Sequence, residues 1–194
     1  VFGQRFDSVG TPFGGEFQVN TFTTEQQREP AVAADGAGNF VVSWISYGQD
    51  GSGFGVFGQR FSSTGTPLGG EFQVSSYTTG AQFVPSVAAD AAGDFVVVWP
   101  SPAQDGDGWG AFGQRFSSAG VPQGLEFQVN SHTTGDQLYP KVATDAAGEF
   151  VVVWQSVPQD GGSWGVFGQR FHAAGQPQGA EFQVNSYTTN AQYR

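Results

Sequence analysis

Residues 85–99 read PSVAADAAGDFVVVW, and the stretch returns in closely similar form from Pro30 and from Pro140. Its second part, Phe95-Val96-Val97-Val98-Trp99, places apolar side chains on both sides of an extended chain, because alternate residues of a strand face opposite ways. Such a strand needs cover on two faces. Ahead of it, Asp90 opens a type I turn and Gly93 stands three residues later, where φ must be positive, which is the chemistry of a short hairpin loop with a bulge. Asp35/Gly38 and Asp145/Gly148 repeat the pair, so these residues read as turn formers joining two strands, A and B.

Working outward, each B strand is followed by a loop containing Gln-Asp-Gly and then by FGQRF, which stands at residues 2–6, 57–61, 112–116 and 167–171, a period of 55 residues. Self-similarity of that length takes precedence over any local reading. In this third strand, C, the side chains of Phe112, Gln114 and Phe116 share a face. In a fourth, D, Phe127 and Val129 do the same. The chain therefore divides into 1–29, half a unit (strands C and D) with a crossover, and three full units, 30–84, 85–139 and 140–194.

A four-stranded antiparallel unit that is apolar on both faces stacks between copies of itself. The expected fold is all-β, a β-propeller of four-stranded blades with three full blades and a half blade, as a fragment of a larger ring or array. A β-prism or a pair of packed sheets would satisfy the same pattern.

Composition agrees with a β fold. The 194 residues are 38% hydrophobic and 15% aromatic, enough for a core, while 30 Gly, 10 Pro and 12% charged residues argue against a helical bundle. A net charge of −10 with one lysine, Lys141, leaves no basic stripe for phosphates, so nucleic acid and anionic lipid are poor partners. No apolar run has the length of a membrane-spanning helix. The absence of cysteine removes disulfides, thiolate metal sites and cysteine nucleophiles. With no methionine, Val1 is expected to be a processed terminus or a cut through a longer protein.

The sentence P-x-V-A-A-D-A-x-G-x-F-V-V-V-W, Q-D-G-x-G-x-G-V-F-G-Q-R-F, G-x-E-F-Q-V-N-x-Y-T-T resembles tandem repeats of about 55 residues in very large secreted or cell-surface bacterial proteins, which often carry hemolysin-type or cadherin-like segments elsewhere. The resemblance covers the whole sequence. It implies an exported protein, extracellular or at the cell surface, and supplies no activity. The glycine-rich calcium-binding nonapeptide of the hemolysin type is absent, so that mechanism is not carried over.

Several recurring residues are candidates for chemistry. Arg5, Arg60, Arg115 and Arg170 in strand C, and Glu16, Glu71, Glu126 and Glu181 at the start of strand D, are expected to pair across the C–D hairpin as structural ion pairs, the other reading being carboxylate-binding arginines. Between B and C, Asp50, Asp105, Asp107 and Asp160 are the only carboxylates for a calcium ion. Calcium wants six to eight oxygens, and Asp-Gly is also an ordinary turn pair. Phe54, Trp109 and Trp164 follow these loops. Beside Gln104 and Gln159 they would form sugar-stacking platforms, or else they pack between units. Trp44, Trp99 and Trp154 end strand B and read as core. His132 and His172 each occur in one copy with no partner at ligand spacing.

No nucleophile elbow, zinc-protease motif or phosphate-cradling loop is present, and the acidic residues of note recur from copy to copy. These observations lead to the expectation of a non-enzymatic extracellular scaffold or adhesion protein without a cofactor, whose partners are further repeats of the same kind, its own copies, or glycans. A multivalent lectin is the alternative, and a calcium-stabilised surface module the second.

Overall fold

The computed structural model describes residues 1–161 and 163–187; Gly162 and the end of the last crossover, Thr188-Thr189, lie outside them. Each expected unit folds as four antiparallel strands in chain order. The first contains β3 (Gln27–Ala34), β4 (Phe40–Tyr47), β5 (Phe54–Phe61) and β6 (Phe72–Gln73). The second contains β7 (Ser86–Ala89), β8 (Phe95–Pro102), β9 (Trp109–Phe116) and β10 (Phe127–Gln128), and the third β11 (Asp136–Thr144), β12 (Phe150–Val157), β13 (Gly165–Phe171) and β14 (Phe182–Gln183). Residues 1–29 supply a two-stranded sheet, β1 (Phe2–Gly3) with β2 (Phe17–Gln18).

The A–B turns form as their residues dictate. Asp35, Asp90 and Asp145 each accept backbone N–H bonds from residues two and four further on, and Gly38, Gly93 and Gly148 take φ of 81°, 90° and 85°. Burial alone would raise the Asp35 carboxyl pKa, but hydrogen bonds from Asn39, Ala37 and Gly38 hold it below the usual carboxylate value.

The β-propeller expectation is corrected by the sheet topology. The described strands do not form separate four-stranded blades: the second and third repeats merge into one open, mixed eight-stranded sheet, beside sheets of four and two strands. Strand D is two residues long in every repeat and leaves part of the strand C edge unpaired, and the nine-residue β11 reaches that edge where the four-residue β7 does not. β10 pairs only with the middle of β9, at Gly113 and Phe112, so the beginning of that edge stays open and Asp136 of β11 takes it in parallel at Trp109. The repeat specifies hairpins within a unit, and the leftover edge decides what joins units.

Between repeats, strand B is buried on both faces: Val96, Val97, Val98 and Trp99 are all at most 4% exposed. Val41, Ile45 and Val74 of one repeat pack with Val87, Phe95 and Val97 of the next. Three phenylalanines close each junction. Phe95 stacks on Phe116 at 5.0 Å, and Phe72 from the preceding strand D tilts against Phe116 at 5.3 Å. Phe17, Phe40 and Phe61, then Phe127, Phe150 and Phe171, repeat the triad. This explains why FVVVW, FGQRF and EFQV recur together, since each contributes one ring. Phe116→Ala is therefore expected to cost about 3–5 kcal/mol in chemical denaturation, as for large buried side chains generally. Phe6→Ala, at the 61% exposed counterpart, should stay within about 0.5 kcal/mol.

Candidate functional site

The recurring charged residues hold repeats together and do not pair with one another. The guanidinium of Arg5 donates to Ser63 O at 2.7 Å and that of Arg60 to Ser118 O, each one repeat ahead. A Cβ on Gly65, Gly120 or Gly175 would meet Arg5, Arg60 or Arg115 at 2.9 Å or less, so the turn after each strand C needs glycine both for its positive φ and for the arginine beneath it. Burial lowers the pKa of Arg60 and Arg115, with Asp94 pushing back at Arg115. Arg170 is exposed, with no described repeat ahead of it.

The glutamates reach the other way. Glu71 accepts from the N–H and hydroxyl of Thr21, Glu126 from those of Ser76, and Glu181 from those of Ser131, at 2.6–2.9 Å. Their second oxygens accept from the amides of Gln49, Gln104 and Gln159. Gln104 and Gln159 are thus engaged in junctions, which takes their amide donors away from the sugar platform proposed for them. Glu16 lies exposed.

The loop aspartates are engaged too. Asp50 accepts from Ser52 N, Asp105 from Asn130, Asp107 from Gly135 N and Asp160 from Gln183. Asp50, Asp105 and Asp160 fold back over Gly55, Gly110 and Gly165, where a Cβ would stand 2.5, 2.4 and 2.8 Å from a carboxylate oxygen. The aromatic-Gly pair exists to admit this carboxylate. Among the described residues no group of three or more histidine, aspartate or glutamate side chains is placed to hold a metal.

Of the three platform aromatics, Phe54 is buried in the core between the first two repeats, with Arg28 lying 4.4 Å over its ring. Trp164 is half-buried just before β13. Trp109 differs, because it lines a concavity of about 340 Å³ with Glu29, Phe83, Val84, Pro100, Leu138 and Tyr139. Its indole lies 5.7 Å from the Phe83 ring.

The backbone of this concavity is built by the prolines that open each repeat. Proline has no N–H to give to a ladder. The pairing of β3 with β4 accordingly skips from Arg28 to Ala31, and that of β11 with β12 from Leu138 to Lys141. The residues just before Pro30, Pro85 and Pro140 take left-handed conformations, Glu29 at φ 56°, Val84 at 41° and Tyr139 at 55°. A β-branched valine there is strained, and bulges that re-aim side chains concentrate next to functional sites. One positive-φ residue before proline in each repeat, bulged in the first and third, brings a glutamate, a valine and a tyrosine to the same space.

Sequence reasoning overlooked these positions. The readable signal was the dipeptide before each proline, Arg28-Glu29, Phe83-Val84 and Leu138-Tyr139, which changes completely where the flanking residues barely change. Glu29 is an acidic residue confined to one copy, contrary to the expectation that all acidic residues of note recur. Its carboxylate accepts from Val84 N at 2.8 Å, binding the first repeat to the second across the concavity.

No protein-family model matches the chain, and no curated protein matches it. Among solved structures it is similar to an endo-arabinase from Bacteroides thetaiotaomicron, with TM-score 0.51 and 15% identity, over 81% of this chain and 61% of that one. An endo-1,4-beta-xylanase from the same organism matches with TM-score 0.48 and 11% identity, over 82% of this chain and 60% of that one. The chain spans about three fifths of each. The first likeness shows the fold. It also overturns the expectations of a non-enzymatic scaffold and of a chain that is not an enzyme, because a fold carried by an endo-arabinase gives no ground for excluding chemistry. Recurrence of acidic residues, part of the basis of that exclusion, reflects junction bonds at the glutamates and local turns at Asp35, Asp90 and Asp145.

Glu29→Ala is expected to lower stability by about 1 kcal/mol by leaving the Val84 N–H without its acceptor. Glu29→Gln, whose amide oxygen can still accept, should lose much less in the same denaturation experiment.

Proposed function

We propose that this is a carbohydrate-active protein that takes a polysaccharide segment in the concavity between Trp109, Tyr139 and Glu29. The observation that supports it is the convergence there of the positive-φ residue before proline from each repeat, where a recurring backbone conformation carries divergent side chains. The indole of Trp109 and the ring of Phe83 offer apolar faces to the C–H faces of a pyranose or furanose, and Tyr139 adds a third aromatic ring to the lining. Glu29 supplies acceptors for sugar hydroxyls and is the carboxylate within reach of a glycosidic oxygen. Hydrolysis uses two carboxyl groups, one as acid and one as base or nucleophile, so Glu29 fills one of these places when cleavage occurs. The likeness to a chain titled an endo-arabinase makes arabinan the first polysaccharide to try.

The polysaccharide is met outside the cell. The resemblance to tandem repeats of large exported bacterial proteins supports this, and among the described residues no helix is long and apolar enough to cross a membrane.

Electrophoresis through gels containing arabinan, xylan or other polysaccharides, paired with measurement of reducing ends released from the same panel, tests the reading. Retardation in at least one gel is expected, reduced tenfold or more in affinity by Trp109→Ala. Where reducing ends are released, Glu29→Gln should abolish release while keeping retardation. A folded chain that migrates freely through every gel and releases nothing removes the proposal.

A further inference from the structure

Trp109 and Phe83 have counterparts one period earlier, Phe54 and Arg28, and the two pairs touch. The Phe83 ring lies 5.7 Å from that of Trp109, and the Arg28 guanidinium lies 4.4 Å over the ring of Phe54. Between the pairs, Phe54 and Phe83 meet at 5.4 Å. The repeated backbone thus sets one two-residue arrangement twice in succession across the junction of the first two repeats. In one copy it carries a phenyl ring beside an indole, in the other a guanidinium over a phenyl ring.

The earlier pair has a further ring of its own. Tyr47 makes an edge-on contact with Phe54 at 5.1 Å and is 46% exposed, while its counterparts, Pro102 and Val157, bring no polar or aromatic group. Side chains alternate along β4, so Tyr47 shares a face with Val41 and Ile45, which pack in the core between the first two repeats. Two complete four-stranded units therefore fix its place. Phe54 is itself 9% exposed, too covered for a sugar to stack on, and serves as the support on which Arg28, Tyr47 and Phe83 rest. Arg28 is exposed. A guanidinium held over an aromatic ring is restrained there, and its fixed fork of N–H donors suits a pair of neighbouring oxygens.

We infer that the glycan site has a second sugar position at Arg28 and Tyr47, beside the concavity, so that its ligand is a run of several linked sugars and not a single residue. The inference rests on the carbohydrate reading above. Ring-to-ring steps of 5.1 to 5.7 Å carry the contacts from Tyr47 through Phe54 and Phe83 to Trp109, a spacing of the order of one sugar in an extended chain. At the second position Arg28 donates to vicinal hydroxyls, and Tyr47 offers an apolar face with a hydroxyl at its tip. The run is of neutral sugars: Glu29 adjoins Arg28 in sequence, and the chain's net charge of −10 opposes a polyuronate. Linked positions raise affinity for a longer ligand because each further contact is made within the complex.

The test is calorimetric titration of the whole chain with oligosaccharides of two to six residues from arabinan, from xylan and from any other polysaccharide that retards it. In the series that binds, affinity is expected to rise at least tenfold from the disaccharide to the longer members. Arg28→Ala and Tyr47→Ala should each remove most of that rise and lose little with the disaccharide, whereas Trp109→Ala should weaken binding at every length. Both exposed side chains can be cut back with thermal unfolding kept within a few degrees. Equal affinity at all lengths overturns the second position, as does a rise that persists in Arg28→Ala and in Tyr47→Ala; either result leaves the concavity reading standing. Binding at no length overturns the inference as well, and the reading beneath it falls too when every gel is passed freely.

Discussion

Burial of the phenylalanine triad at each junction is the constraint on which the remaining structure depends. No repeat can cover its own FVVVW strand: one face looks to the unit before and the other to the unit after, and only a neighbour of matching shape removes both from water. Fully burying one aromatic or branched side chain contributes about 1.5–3 kcal/mol, so a junction of three rings and several valines far outweighs any polar contact around it. The arginine and glutamate links then act as alignment. Arg60 reaches forward to the turn of the next repeat and Glu126 backward to the crossover of the previous one, and each satisfies backbone groups that the packing brings close.

That hierarchy accounts for where the chain is repetitive and where it is free to vary. Positions in the triads, under the turns and at the Gln-Glu links are repeated because each copy must satisfy the same neighbours. The dipeptides before the prolines sit where the ladder is interrupted, as a register shift in the first and third repeats and ahead of the first paired residue in the second. Their backbone is dictated and their side chains are not. A concavity built from such positions has a frame supplied three times by one sequence and a lining different on every side. This is the arrangement a binding site needs if it is to recognise an asymmetric ligand on a repetitive fold.

The same logic shows why the reading of the charged residues missed its mark. Opposite charges on adjacent strands of a hairpin suggest a cross-strand pair, and strand alternation by itself offers no other partner. Arg60 and Glu126 instead find partners contributed by other repeats, which a single unit alone cannot contain. Glu29 was passed over because it occurs once, and attention to recurrence discards what occurs once.

Sequence by itself determined the repeat, the antiparallel four-stranded unit, the Asp-Gly turns and the demand of strand B for cover on two faces. These follow from side-chain alternation and local backbone preference, which act within a few residues. Only the tertiary structure decided how units join, because the short strand D leaves part of an edge open and Asp136 takes it at Trp109. It also decided that Glu29, Trp109 and Tyr139, 110 residues apart from first to last, line one space. Proximity of that kind depends on the angle and spacing between packed repeats, quantities set by the summed shape of the junctions and written in no single motif.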